Sequence, residues 1–266
     1  MNNGEYFSKI SKTKGEDVVS KHAFSNYTGD GEVLIRMSEV KIDNDQIDFD
    51  DYYFNSDETK ALLTTETTPI YRRSYTAVYY LFDLKSKKTE PLDNVHSPQT
   101  LAEYSPDGTK VSYIFENNIY IKDITSGKIT QVTSDGKRNE IINGTTDWVY
   151  EEEFGITKGY AWSPDGNHIG YLKFNENDVK EFSMTYYKDL YPELYTFKYP
   201  KAGEDNSKVT VNMYSIATGK SEKVDLGQYE YIPRLKWSPI ENKLIVQTLN
   251  RHQNELKYHV IKVSND

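Results

Sequence analysis

Apolar and polar positions alternate along this chain in short runs separated by small polar turns. That is the two-residue period of half-buried strands, not the 3.6-residue period of helices. Four segments repeat one plan: an aromatic residue, a polar turn, a strand, a second turn and another strand. They are FNSDETKALLTTE from Phe54, YSPDGTKVSYIFENNIYIKDITSGKITQVT from Tyr104, WSPDGNHIGYLKFNE from Trp162 and WSPIENKLIVQTLN from Trp237. In SPDG the proline fixes φ at the second turn position, and Asp and Gly tolerate the conformations that reverse the chain. KVSYIFENNIYIKDI alternates on both sides of ENN, as a hairpin with one buried face does. TSGK (125–128) and ATGK (217–220) turn into an outer strand.

The aromatic starts lie 50, 58 and 75 residues apart, a spacing that suits propeller blades of four antiparallel strands. A β-sandwich also has short alternating strands, but the recurring aromatic–turn start favours the propeller. The expected fold is therefore all-β: a β-propeller fragment of four to five four-stranded antiparallel blades occupying residues 1–266, part of a larger ring. Ring closure often joins the first and last strands in one blade, and neither terminal segment completes the other. Apolar sheet faces at the two ends are expected to be poorly ordered or to meet another copy. Two interruptions break the repeat. One is EFSMTYYKDLYPELYTFKYPKAGEDNSKVTVNMYSI (181–216), an aromatic alternation around the loop YPKAGEDN that predicts a hairpin reaching beyond its blade. The other is TTPIYRRSYTAVYYLFDL (67–84), where Arg72 and Arg73 precede a strand.

Composition agrees with half-exposed strands: of 266 residues, 23 are Tyr, 10 Phe and 3 Trp. A net charge of −9 argues against nucleic acid or an anionic membrane as the main partner. The absence of Cys excludes disulfides and thiolate chemistry. No apolar run approaches the length of a membrane span, and the start MNNGEYFSKI lacks the apolar core of a signal peptide. The expectation is a cytosolic chain or one that begins after its targeting segment.

The stretch DWVYEEEF sets Glu151, Glu152 and Glu153 directly behind Trp148 and Tyr150. One reading is solvated charge at a helix start, where carboxylates are mildly favoured. Calcium needs several more oxygens than the stretch offers. The five histidines (His22, His96, His168, His252, His259) show no paired-ligand spacing for zinc. No metal or cofactor is expected. A third reading is recognition of a cation: a primary ammonium carries three N–H donors, and two carboxylates beside aromatic rings need a counter-charge to ionise together.

DWVYEEEF followed by WSPDG, together with YRRSYTAVYYLFDL, YPKAGEDNSKVTVNMYSI and NNIYIKD, resembles the propeller domain of the dipeptidyl peptidase IV family of prolyl-oligopeptidase-type serine peptidases. The likeness runs over about residues 50–220. It implies an eight-bladed propeller capping an α/β-hydrolase domain, and an enzyme that releases N-terminal dipeptides with Pro or Ala second. By motif position it makes Glu152 and Glu153 the receptors of the substrate's amine and Arg72, rather than Arg73, the anchor of a peptide carbonyl. Glu151 becomes an outward-facing, supporting member, and Trp148 and Tyr150 hold the helix against the propeller. The segment 181–216 becomes a homodimerisation arm, and bacterial members place such proteins in the periplasm or at the cell surface.

A serine elbow needs G-x-S-x-G, and the only Gly pairs at that spacing are GITKG (155–159) and GNHIG (166–170). The catalytic triad is therefore expected outside this chain, which alone should not hydrolyse peptides. A non-catalytic propeller scaffold, with 151–153 as solvated charge and the arm as a docking hairpin, is the rival reading. A propeller glycosidase fits adjacent carboxylates less well.

Overall fold

The computed structural model describes residues 1, 4–26 and 31–263. The sheets are antiparallel meanders in chain order. The first is β1 (Tyr6–Thr13), β2 (Glu16–Ala23) and β3 (Glu32–Arg36), followed by a short hairpin of β4 (Lys41–Ile42) and β5 (Asp45–Gln46). A four-stranded sheet follows: β6 (Asp51–Phe54), β7 (Lys60–Pro69), β8 (Tyr75–Asp83) and β9 (Thr89–Pro91). The next is β10 (Thr100–Tyr104), β11 (Lys110–Phe115), β12 (Asn118–Asp123) and β13 (Ile129–Gln131). These four-stranded meanders are propeller blades.

The four aromatic starts recur as one structural position. Phe54, Tyr104, Trp162 and Trp237 each end a strand. After each, the following residue's N–H closes the same turn: Asn55 to Lys60, Ser105 to Lys110, Ser163 to His168 and Ser238 to Lys243, at 2.8–3.0 Å. The ENN hairpin turns through Glu116 and Asn117, both at positive φ, the geometry that matches strand twist in a tight hairpin.

By internal packing the chain divides into two compact units. One comprises Met1–Thr68, Tyr75–Ser112 and Lys122–Lys128; the other Pro69–Ser74, Tyr113–Ile121 and Ile129–Asp266. The first holds a core of Val19, Ile35, Val40, Phe49, Ala61, Leu63 and Phe82. Its N-terminal sheet lacks an aromatic–turn start, so the repeat does not reveal it. The core of the second gathers Tyr150, Leu172, Phe174, Val211, Ile232, Leu244 and Val246.

In the second unit the blade is built on β16 (His168–Asn175), which pairs with β19 (Lys208–Ser215), which pairs with β20 (Lys220–Lys223). On its other side β16 meets a strand broken in two. β14 (Ile141–Asn143) pairs with Asn175–Lys173, and β15 (Tyr160–Trp162) with Tyr171–Ile169. Between them the chain leaves the sheet and forms α1 (Trp148–Glu152). Gly144 and Gly159 close the neck of this excursion: Gly159 N–H donates to Gly144 O at 2.8 Å, and Leu172 bonds both glycines across β16. Thus one glycine of GITKG serves a backbone closure.

β17 (Glu181–Tyr186) and β18 (Glu193–Lys198) form a separate two-stranded hairpin, the expected arm. Its extent differs from 181–216, because Lys208–Ser215 is the blade strand β19. Period-two alternation continues through both, so the pattern alone does not mark the exit from the hairpin. The last sheet is β21 (Tyr231–Trp237), β22 (Lys243–Leu249) and β23 (Leu256–Lys262). Strand β23 exposes Leu256, Tyr258 and Val260, and residues 2–3 and 264–266 fall outside the described ones.

A Cβ on Gly159 would lie 2.8 Å from Thr145 O and 3.3 Å from Gly144 O, both backbone atoms. Gly159→Ala is expected to destabilise the chain by about 1–3 kcal/mol, read as a lowered Tm in thermal unfolding. An unchanged Tm would mean that the neck is not tight.

Candidate functional site

The helix α1 has five residues, too few to persist alone, and its position comes from what its side chains hold. Asp147 is the N-cap, accepting the Tyr150 N–H at 3.0 Å. Its other oxygen accepts the Ser207 hydroxyl at 2.6 Å, from the start of the blade segment after the arm. Tyr150 is buried, packs edge-on against Phe174 with ring centres 4.8 Å apart, and its hydroxyl oxygen accepts the Ile232 N–H at 2.8 Å. Trp148 packs instead on Tyr199, just beyond β18, at 4.5 Å. Tyr150, with Val149 beside it, holds the helix to the blade core; Trp148 ties it to the base of the arm.

The three carboxylates face three environments. Glu151, expected to point outward, is 1% exposed. Its Oε1 accepts the backbone N–H of Arg73 at 2.6 Å and of Ser74 at 2.9 Å. Side chains of successive helical residues point about 100° apart, and the Asp147 cap fixes which of the three turns inward. Glu152 is partly buried, and its Oε2 lies 3.5 Å from Arg72 Nε. The Glu152 side chain is 17% exposed and that of Arg72 72%. Glu153, at the helix C-cap, is exposed. The structure thus brings Arg72 to Glu152 and Arg73 to Glu151, whose backbone oxygen accepts from Arg73 Nη1 at 2.9 Å.

Several residues of this neighbourhood were not singled out in sequence. Asp147 stands inside DWVYEEEF, and an Asp three residues before a tyrosine-bearing turn is a recognisable cap. Glu176 and Tyr71 carry no local signal. Glu176 is 6% exposed between β16 and the arm; burial, with the charge of Asp147 added, pushes its carboxyl up to about 7 against the opposing pull of Lys198. Burial also raises Asp147, opposed by its bonds from Ser207 and the Tyr150 N–H. Tyr71, beside Arg72, is raised by burial and then by the nearby Tyr195, Glu176, Asp147 and Glu151. Among the described residues no cluster of His, Cys, Asp and Glu could hold a metal ion.

A carboxyl raised on folding favours the folded state while protonated, so its contribution is complete below about pH 4.5 and is lost as pH rises to about 7. Glu176→Gln is expected to match the parent near pH 4.5 and to exceed it in Tm at pH 8. Parallel Tm–pH curves for the two proteins would contradict this.

A family model described as "Dipeptidyl peptidase IV (DPP IV) N-terminal region" matches residues 55–266. A "Probable dipeptidyl-aminopeptidase B" of Phaeosphaeria nodorum is 30% identical over 270 residues, covering 94% of this chain and 29% of that protein. Prolyl endopeptidase FAP of Mus musculus is 36% identical over 187 residues, covering 69% of this chain and 24% of that protein. The crystal structure of Porphyromonas gingivalis dipeptidyl peptidase 4 is similar with a TM-score of 0.91 at 34% identity, over 98% of this chain and 37% of that one. The chain spans less than a third of the length of these curated relatives. Because the family match runs through the blades, the carboxylate loop and the arm alike, the chain belongs to the dipeptidyl peptidase IV family, as a β-propeller fragment of its N-terminal region.

Proposed function

We propose that this chain is the substrate-recognition propeller of a serine-type dipeptidyl aminopeptidase, in which Glu152 and Glu153 bind the free N-terminal ammonium of a peptide. The observation that carries this reading is the ion pair between Glu152 and the exposed Arg72, with Glu153 next in sequence and open to solvent. Two carboxylates and one guanidinium leave one negative charge for a cationic ligand. An ammonium donates three charge-assisted bonds, and Arg72, which uses Nε toward Glu152, has further guanidinium N–H groups for a peptide carbonyl.

Fixing the amine at one end of a site makes the propeller a ruler. A serine on the hydrolase domain then meets the bond after the second residue, with Pro or Ala in that position, and the positioning lowers the barrier. The nucleophile, its base and the oxyanion donors belong to that domain. The arm supports a homodimer: its tip exposes Tyr187, Leu190, Tyr191 and Leu194, and clustered exposed apolar side chains mark association surfaces. Peptides with free N-termini outside the cytoplasm, in the periplasm or at the cell surface, are the proposed substrates.

In the complete peptidase, Glu152→Ala and Glu153→Ala are each expected to lower kcat/KM for a chromogenic dipeptidyl substrate by on the order of 10- to 100-fold, the loss of one charge-assisted contact. Arg72→Ala is expected to lower it as well, by removing both the carbonyl contact and the partner of Glu152. Near-normal activity in both Glu variants would exclude the receptor and favour a scaffold role for these charges.

A further inference from the structure

Glu151 is the carboxylate that an ammonium cannot reach, and its bonding is directed elsewhere. A single oxygen, Oε1, accepts two successive backbone N–H groups, from Arg73 at 2.6 Å and Ser74 at 2.9 Å. Arg73 returns a bond from its guanidinium Nη1 to the backbone oxygen of Glu151 at 2.9 Å. Three bonds therefore join two segments 77 to 78 residues apart in sequence. Each segment presents one half of the Arg72–Glu152 pair: Glu151 immediately precedes Glu152, and Arg73 immediately follows Arg72.

Neither segment is rigid by itself. The helix has five residues, and the chain from Ile70 to Ser74 runs between strands β7 and β8 with no strand partner, closed by one bond from Ile70 N–H to Ser74 O at 2.8 Å. A carboxylate that is 1% exposed is costly without hydrogen bonds, and here the backbone donors supply them. A buried, doubly bonded carboxylate fixes the distance between the elements that it joins far better than the Arg72–Glu152 pair does, since the Arg72 side chain lies largely in solvent, where ion pairs contribute little.

We propose that Glu151 is a positioning residue that sets the spacing between the Arg72 guanidinium and the Glu152 carboxylate, and so the geometry that a substrate amine meets. The proposal rests on the ammonium-receptor reading. Within the triplet, the first carboxylate holds the arginine loop and the other two remain for ligand. Because both loop bonds end on one oxygen, an amide at this position reproduces them, and the function requires an acceptor rather than a negative charge.

The test uses the complete peptidase with Glu151→Gln, Glu151→Ala and Glu152→Ala. Three quantities are read: kcat and KM on a free-amine dipeptidyl chromogenic substrate, the rate of serine labelling by an alkyl fluorophosphonate that has no amine, and Tm. Glu151→Gln is expected to stay within about threefold of the parent in kcat/KM, and Glu151→Ala to lose on the order of 10- to 100-fold. Fluorophosphonate labelling should be unchanged in both. Equal losses in the Gln and Ala variants would overturn the proposal by showing that the charge itself is used, and an Ala variant with normal kcat/KM would overturn it by showing that no positioning is needed. Loss of labelling together with Tm would reduce Glu151 to a folding role. If Glu152→Ala retains activity, the receptor reading fails; if Glu152→Ala loses activity and Glu151→Ala does not, only the positioning role fails.

Discussion

Three consecutive carboxylates repel one another, and in a chain of net charge −9 they are not relieved by an excess of cations. The structure resolves this by giving each carboxylate a different surrounding. Glu151 turns into the protein and is satisfied by backbone N–H groups, Glu152 meets a guanidinium, and Glu153 remains in water. That distribution depends on the rotation of one short helix, fixed by the Asp147 cap and by the buried Tyr150. Were the helix to turn by one residue, a charge without donors would be buried and the Arg72 pair would be lost.

The blade makes this arrangement possible by interrupting its own strand. β14 and β15 pair with successive parts of β16, and the loop between them is pinched shut by Gly144 and Gly159. The helix is thereby displayed outside the sheet while its base is anchored on the rigid ladder, where binding residues are commonly carried. Its attachments come from distant parts of the second unit: Ser207 from the segment after the arm, Ile232 from the last sheet, Tyr199 from the arm base and Arg73 from the loop before β8.

Much of this was legible in the sequence because it is local. The aromatic that ends a strand, the turn behind it (Asn/Ser-x-Asp in three of the four repeats) and the ENN hairpin are each written within a few residues, and each is found where expected. The register of Arg72 and Glu152 followed from resemblance, and the two lie together in the structure. The misreadings have a common cause. Which member of Glu151–Glu153 faces inward depends on a loop nearly eighty residues away, and whether an alternating segment belongs to the arm or to the blade depends on its pairing partner. Alternation is identical in both cases. The roles of Glu176 and Ser207 arise only from burial and from a partner distant in sequence, so no local pattern announces them.

The most direct measurement is a crystal structure of the complete peptidase with a non-hydrolysable dipeptide analogue that keeps its free N-terminus. The account predicts the ammonium nitrogen at about 2.7–2.9 Å from oxygens of both Glu152 and Glu153, with a peptide carbonyl on Arg72 and Glu151 still bonded to the Arg73 and Ser74 backbone. An amine bound away from Glu152 and Glu153, or seated on Glu151, would contradict it.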